Sequence, residues 1–131
     1  MGEGQAAQQV DQIRRTIVLP FPPAALSGHN KGSWWRTRPL VKQHRTWAWN
    51  ATMAVKPHLP GLPSEGDIPI LIRFVPPNRR GDRTNYPNRC KALIDGVADA
   101  LNVNDKRFLP RFEYAEPQAP GRVEIVIGSA E

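Results

Sequence analysis

Cys90, Leu93, Ile94, Val97 and Leu101 recur at helical spacing and make one apolar stripe, so this stretch predicts a helix laid against a core. Asn88, Lys91 and Asp95 fall on another face, where Lys91 and Asp95 form an i,i+4 pair of opposite charge. Pro87 suits a first helical turn, because the N–H it lacks would have no partner there, and Asn85 suits an N-cap. Asn102 is a stop signal. The helix therefore points its free N–H groups and Lys91 toward whatever sits beside Asp82, an arrangement that suits a phosphate oxygen.

The rest of the chain supplies what this helix packs on. Ile68 to Val75 is the clearest strand, with Ile68, Ile70, Ile72 and Phe74 on one face. Pro76-Pro77 ends it, and Asn78 to Gly81 turns the chain toward Asp82. Arg15 to Phe21 alternates in the same way and stops at Pro22-Pro23. Arg107 to Tyr114 contains a short strand with Phe112 and Tyr114 on one face, and Arg122 to Ile127 reads as a closing strand. Ala24 to Leu40 reads as a long loop. Val41 to Val55 reads as a helix that buries Trp47, Ala48, Ala51 and Val55 and ends before Pro57. The order strand, helix, strand, helix, strand, strand predicts an α/β (α+β) single domain. Its mixed sheet has about four strands with two helices packed on it, over residues 15–131 after a polar, flexible arm at 1–14. Two helices cannot cover both faces of such a sheet.

A chain of 131 residues suits one domain, no apolar run approaches a membrane span, and no signal peptide is visible; the expectation is a cytoplasmic protein. The lone Cys90 sits on the buried stripe and speaks against a disulfide framework or a zinc site. His29 and His44 lack the spacing of metal ligands and read as loop or surface residues. Net charge is +6, and no acidic residue occurs between Asp11 and Glu65. Lys31, Arg36 and Arg38 lie in that half together with all four tryptophans, Trp34 among them. Basic residues interleaved with aromatics suit a surface that follows a nucleic-acid backbone. A solvated basic face is the plainer reading. Arg79, Arg80 and Arg83 add charge around the turn before the helix.

Asp82 and Asp105 flank the helix, and two carboxylates joined by one helix and its loops are a common way to hold Mg²⁺ or Mn²⁺. With Lys91 and many arginines nearby, the matching substrate is a phosphodiester. Each residue also has a plainer role. Asp82 would serve as a cap, Asp105 as a turn residue, Lys91 as the partner of Asp95, and Asp95 as a structural group.

The pattern Asp82-x-x-Asn85, Lys91-x-x-x-Asp95-Gly96 and Asn104-Asp105 resembles the RusA-type Holliday junction resolvases of phages and prophages. The segments Leu19-Pro20-Phe21-Pro22-Pro23 and Ser27-Gly28-His29-Asn30 resemble that family's N-terminal strand and loop. With Asp82 as the family's first Asp, Thr84 stands at the second Asp position, and Lys91 falls three residues late. With Asn88 and Lys91 setting the register, Asn85 and Pro87 occupy the two Asp positions. In the distal pair Asn104 replaces the first Asp. The resemblance implies a homodimeric, Mg²⁺-dependent endonuclease that resolves branched DNA. It implies Asp82, Lys91 and Asp105 as catalytic residues, Asp82, Asp105 and Asp95 at the metal, and Asn85, Asn88 and Asn104 in support. The missing carboxylates leave open a second function, a DNA-binding protein on the same scaffold without turnover. A basic module for RNA or another acidic partner is a third.

Overall fold

The computed structural model describes residues 15–27 and 34–128, without the side chains of residues 34–36. Four strands, β1 (Thr16–Pro20), β2 (Ile68–Val75), β3 (Phe108–Tyr114) and β4 (Arg122–Ile127), form one mixed sheet in the order β1-β4-β2-β3. β4 pairs antiparallel with both β1 and β2, whereas β2 and β3 run parallel with Ile68 opposite Phe108 and Phe74 opposite Tyr114. Parallel neighbours need a crossover. Helix α2 (Lys91–Leu101) lies in that connection, and helix α1 (Trp34–Val55) connects β1 to β2. The chain is thus a single small α+β domain with two helices on a four-stranded sheet.

Period-two alternation decides which face of the sheet is covered. Ile68, Ile70, Ile72 and Phe74 of β2, Val123, Ile125 and Ile127 of β4, and Ile17 and Leu19 of β1 are buried in one cluster with Cys90, Leu93, Val97 and Leu101. Full burial of such side chains stabilises by about 1.5–3 kcal/mol each. On the opposite face Arg73 holds two carboxylates, Glu113 at 2.9 Å and Glu124 at 3.2 Å, so one cation ties β3, β2 and β4 together. β3 is an edge strand, with Pro110 in its middle and Leu109 and Tyr114 exposed.

The two helices touch through small residues. A Cβ built on Gly96 would lie 2.2 Å from the carbonyl oxygen of Arg45 and 2.8 Å from the Ala48 Cβ, so only glycine fits there. Arg45 also forks onto Asp99 with contacts of 2.6 and 3.0 Å, adding a second tie between α1 and α2. α2 stops at Asn102, the one non-glycine residue at positive φ among the described residues, and Val103 N–H closes on Ala98 C=O at 3.1 Å.

Three expectations about α1 are corrected. Residues 34–40 are helical rather than loop, and Pro39 lies inside the helix. A proline there removes one intrahelical bond, a loss that a 22-residue helix carries. Trp47 is 38% exposed, not core, while His44 is 3% exposed and buried rather than at the surface. The buried stripe of α1 is His44, Ala48 and Thr52. Its polar groups are satisfied within the helix, His44 Nδ1 donating to Leu40 C=O at 2.8 Å and Thr52 Oγ1 to Ala48 C=O at 2.7 Å.

Candidate functional site

Between Gly81 and Arg107 two hydrogen-bonded groups stand out, one around Asp82 and one around Lys91. The first is the turn entering the helical region. Asp82 Oδ1 accepts from Thr84 N–H at 3.0 Å and from Thr84 Oγ1 at 2.7 Å, which caps a 3-10 turn at Arg83–Asn85. The two hydrogen bonds from Thr84 hold the Asp82 carboxyl below the usual carboxylate range. A short helix, Tyr86–Arg89, follows, and the helical run is interrupted at Cys90 before α2 begins at Lys91. Asn85 stands at the N-cap of the short helix without a capping bond from its side chain, so the cap is Asp82 rather than Asn85.

The second group is built on Lys91, at the start of α2. Its ammonium donates to Asp105 Oδ2 at 2.5 Å and to Asp95 Oδ1 at 2.9 Å. Asp95 lies one turn further along α2 by i,i+4 spacing. Asp105 returns because Asn102 ends the helix and Asn104 starts a 3-10 turn, its Oδ1 accepting from Lys106 N–H at 2.9 Å. The hydrogen bond to Lys91 lowers the Asp105 carboxyl, and the two carboxylates, Asp105 foremost, raise Lys91 above the ordinary lysine value. Lys91 therefore stays charged at neutral pH, which suits it to stabilising negative charge and not to accepting a proton. Asp99 belongs to the same acidic side: Arg45 holds it low by hydrogen bonding, while Asp105 pushes it up.

Lys91, Asp95 and Asp105 come together as the sequence suggests. Asp82 is engaged with Thr84 and makes no ion pair with that cluster among the described residues. Asn88 is exposed and lines a cleft of about 580 Å³ with Lys91 and Asp95, whereas Asn104 is spent on its own turn. Arg45 and Asp99 are missed as partners by sequence reading, since a contact across 54 positions leaves no local pattern. Arg79 is tied to Glu116 at 2.5 Å, Arg80 and Arg83 are exposed, and Arg38 lies exposed on α1. Lys31 and the side chains of Trp34 and Arg36 lie outside the described residues.

Among the described residues no group of three or more His, Cys, Asp or Glu could hold a metal ion. Mg²⁺ binds through one or two carboxylates and keeps waters in its other positions, so Asp95 and Asp105 are the residues here that could hold one. Both already converge on one cation, the Lys91 ammonium. No helix among the described residues is long and apolar enough to cross a membrane.

The chain is 37% identical over 118 residues to an uncharacterized protein of Xylella fastidiosa, a match covering 86% of this chain and 75% of the relative. The chain belongs to that protein's family. No family model matches it.

Proposed function

We propose that the protein is a Mg²⁺-dependent, structure-specific endodeoxyribonuclease acting on Holliday junctions or other branched DNA. The observation that supports this reading is the meeting of Asp95 and Asp105 on Lys91 at the start of a helix. Asp95 and Asp105 would hold the divalent ion, with Mn²⁺ as an alternative, and Asp82 joins them only if its turn rearranges. Bound there, such an ion acidifies water and offsets charge on a phosphate. Lys91 offers its charge to the nonbridging oxygens of the phosphodiester, a contribution that grows as negative charge develops. Asn88, exposed beside Lys91, is placed to orient the strand, and Arg38, Arg80 and Arg83 hold the backbone without reading sequence. A homodimer belongs to the proposal, because a four-way junction presents two equivalent strands to a two-fold pair.

The test is incubation of the protein with a synthetic four-way junction and with linear duplex, in Mg²⁺ and then Mn²⁺. Cleavage of the junction alone is the expected result. Binding without cleavage at any concentration of either metal would overturn the enzyme and leave a second reading, a DNA-binding protein without turnover. That second reading is favoured by the absence of a three-ligand group among the described residues.

A further inference from the structure

Arg89 is oddly placed for a cation. Its Nε is buried and has no hydrogen-bond partner, and the side chain makes no ion pair among the described residues. The guanidinium instead lies over the ring of Tyr86, 5.3 Å from its centroid, and that ring is itself only 3% exposed. A buried donor left without an acceptor is costly, so this Nε calls for a partner, an ordered water or a ligand group.

Arg89 forms part of two clefts. One is the cleft of about 580 Å³ that also holds Lys91 and Asp95. The other, of about 360 Å³, is walled by Phe21, Pro23, Pro77 and Pro120, with Tyr86 and Arg80 also lining it. Among the described residues no carboxylate lines this second cleft, and Glu116, the acid that follows β3, is held by Arg79. Gly81 sits at its lip with φ +91°, where an added Cβ would lie 3.7 Å from Arg89 Nη2 and 3.9 Å from Tyr86 Oη. The cleft therefore combines apolar walls with two guanidinium groups that no side-chain carboxylate among the described residues neutralises. Its size is in the range of sites for small organic ligands.

We propose that this second cleft takes one unpaired nucleotide of a DNA strand, its base between Phe21 and the prolines and its phosphate on Arg89 and Arg80. Planar rings stack on apolar walls whatever the base, and a guanidinium fork matches phosphate oxygens. A paired base would present only its edge and could not enter. A strand, rather than a free nucleotide, is the occupant because Arg89 also lines the Lys91 cleft, which leads the neighbouring phosphate toward Lys91. The inference rests on the nucleic-acid reading above, but it needs neither metal nor cleavage.

The experiment uses the full chain in EDTA and follows the anisotropy of a labelled oligothymidylate and of an equally long oligomer of abasic sugars. The intact oligomer should bind about tenfold or more tightly, the effect of one stacked base. Phe21→Ala should erase that difference, and Arg89→Met and Arg80→Ala should weaken both oligomers. Arg80 is exposed, so its variant keeps the test valid if Arg89→Met fails to fold. Equal binding of the two oligomers by the native protein would overturn the inference, as would native affinity in folded Arg89→Met or in Arg80→Ala. Tighter binding of oligouridylate with the same dependence on Phe21 would also overturn it, in favour of RNA. Junction cleavage is measured on the same protein preparations after exchange from EDTA into Mg²⁺. Cleavage without base-dependent binding removes this inference and keeps the nuclease, and base-dependent binding without cleavage does the reverse.

Discussion

Lys91 Nζ lies 2.5 Å from Asp105 Oδ2 although 14 positions separate the two residues, and the same nitrogen reaches Asp95 Oδ1 at 2.9 Å. One cation between two carboxylates is both a fastening and a latent ion site. Asp95→Asn and Asp105→Asn should each abolish junction cleavage while leaving DNA binding intact or tighter, since each removes a negative charge that repels phosphate. Lys91→Met should lower the rate by about a hundredfold or more. Single-turnover cleavage beside anisotropy separates the two effects. Wild-type rates in either Asn variant would remove the pair from the site.

Asp82 is tested through its neighbour. Thr84→Asp sets a second carboxylate where a hydroxyl now donates to Asp82 at 2.7 Å. Without metal the variant should melt below the native protein, because a donor is lost and like charges meet. Added Mg²⁺ should restore the melting temperature, and the variant should need a lower metal concentration than the native protein for half-maximal cleavage. A melting temperature that Mg²⁺ leaves unmoved puts Asp82 outside the metal site.

Cys90 sets an alkaline limit. Burial pushes its thiol up to about 12 from an ordinary 9.0. A group raised on folding contributes stability below its unfolded value, and that contribution fades as pH climbs through the folded one. Lys91 is raised from 10.5 and acts in the same sense at higher pH. Asp105, lowered from 3.8, contributes above that value and loses its effect as pH falls through the lowered one. The melting temperature should therefore hold between roughly pH 4 and 9 and fall on both sides. Cys90→Ala should remove the decline that begins near pH 9. Native Cys90 should also resist alkylation until the chain unfolds.

Gly96→Ala tests the helix contact. Alanine is the better helix former by about 1 kcal/mol, but its methyl would press on the Arg45 carbonyl at 2.2 Å. The helices would have to part, at a net cost of about 2 kcal/mol or more. Arg45→Ala removes only a half-exposed ion pair and should cost about 1 kcal/mol or less, falling further in salt. Thermal melting of both variants ranks the two ties.

DNA affinity should fall steeply with salt, with a log–log slope of roughly −0.9 per phosphate contacted. Arg38→Ala should weaken binding to all sequences alike and make the slope shallower. A loss confined to certain sequences would mean that Arg38 reads bases.

The strands were readable because a half-buried strand writes its burial directly into alternation. Ile68–Val75 and Arg122–Ile127 have the bounds that the pattern suggests. α2 was readable as an apolar stripe, and Lys91 with Asp95 as a helical pair. α1 was harder. Its buried stripe is His44, Ala48 and Thr52, of which Ala48 meets the close approach of Gly96, while Trp47 and Trp49 are exposed. The apolar pattern found Ala48, Ala51 and Val55, which do pack on the core, but it added Trp47 and passed over the buried polar residues His44 and Thr52. The return of Asp105 to Lys91 could be guessed from its loop, but the diversion of Asp82 to Thr84 could not. A turn carboxylate reads the same whether it caps a helix or faces a ligand.

Pro110, midway along β3, bears on how copies of this chain can meet. The strand forms the outer margin of the sheet, and proline is tolerated at such a margin where its missing N–H faces solvent. An incoming strand would find no donor there and would have to bend around the ring. End-to-end growth of the sheet through this side is thereby discouraged, a safeguard against runaway polymerisation. Copies of the chain would instead meet through the helices, the open face around Arg73 or the opposite margin at β1, whose residues Thr16 to Leu19 include no proline.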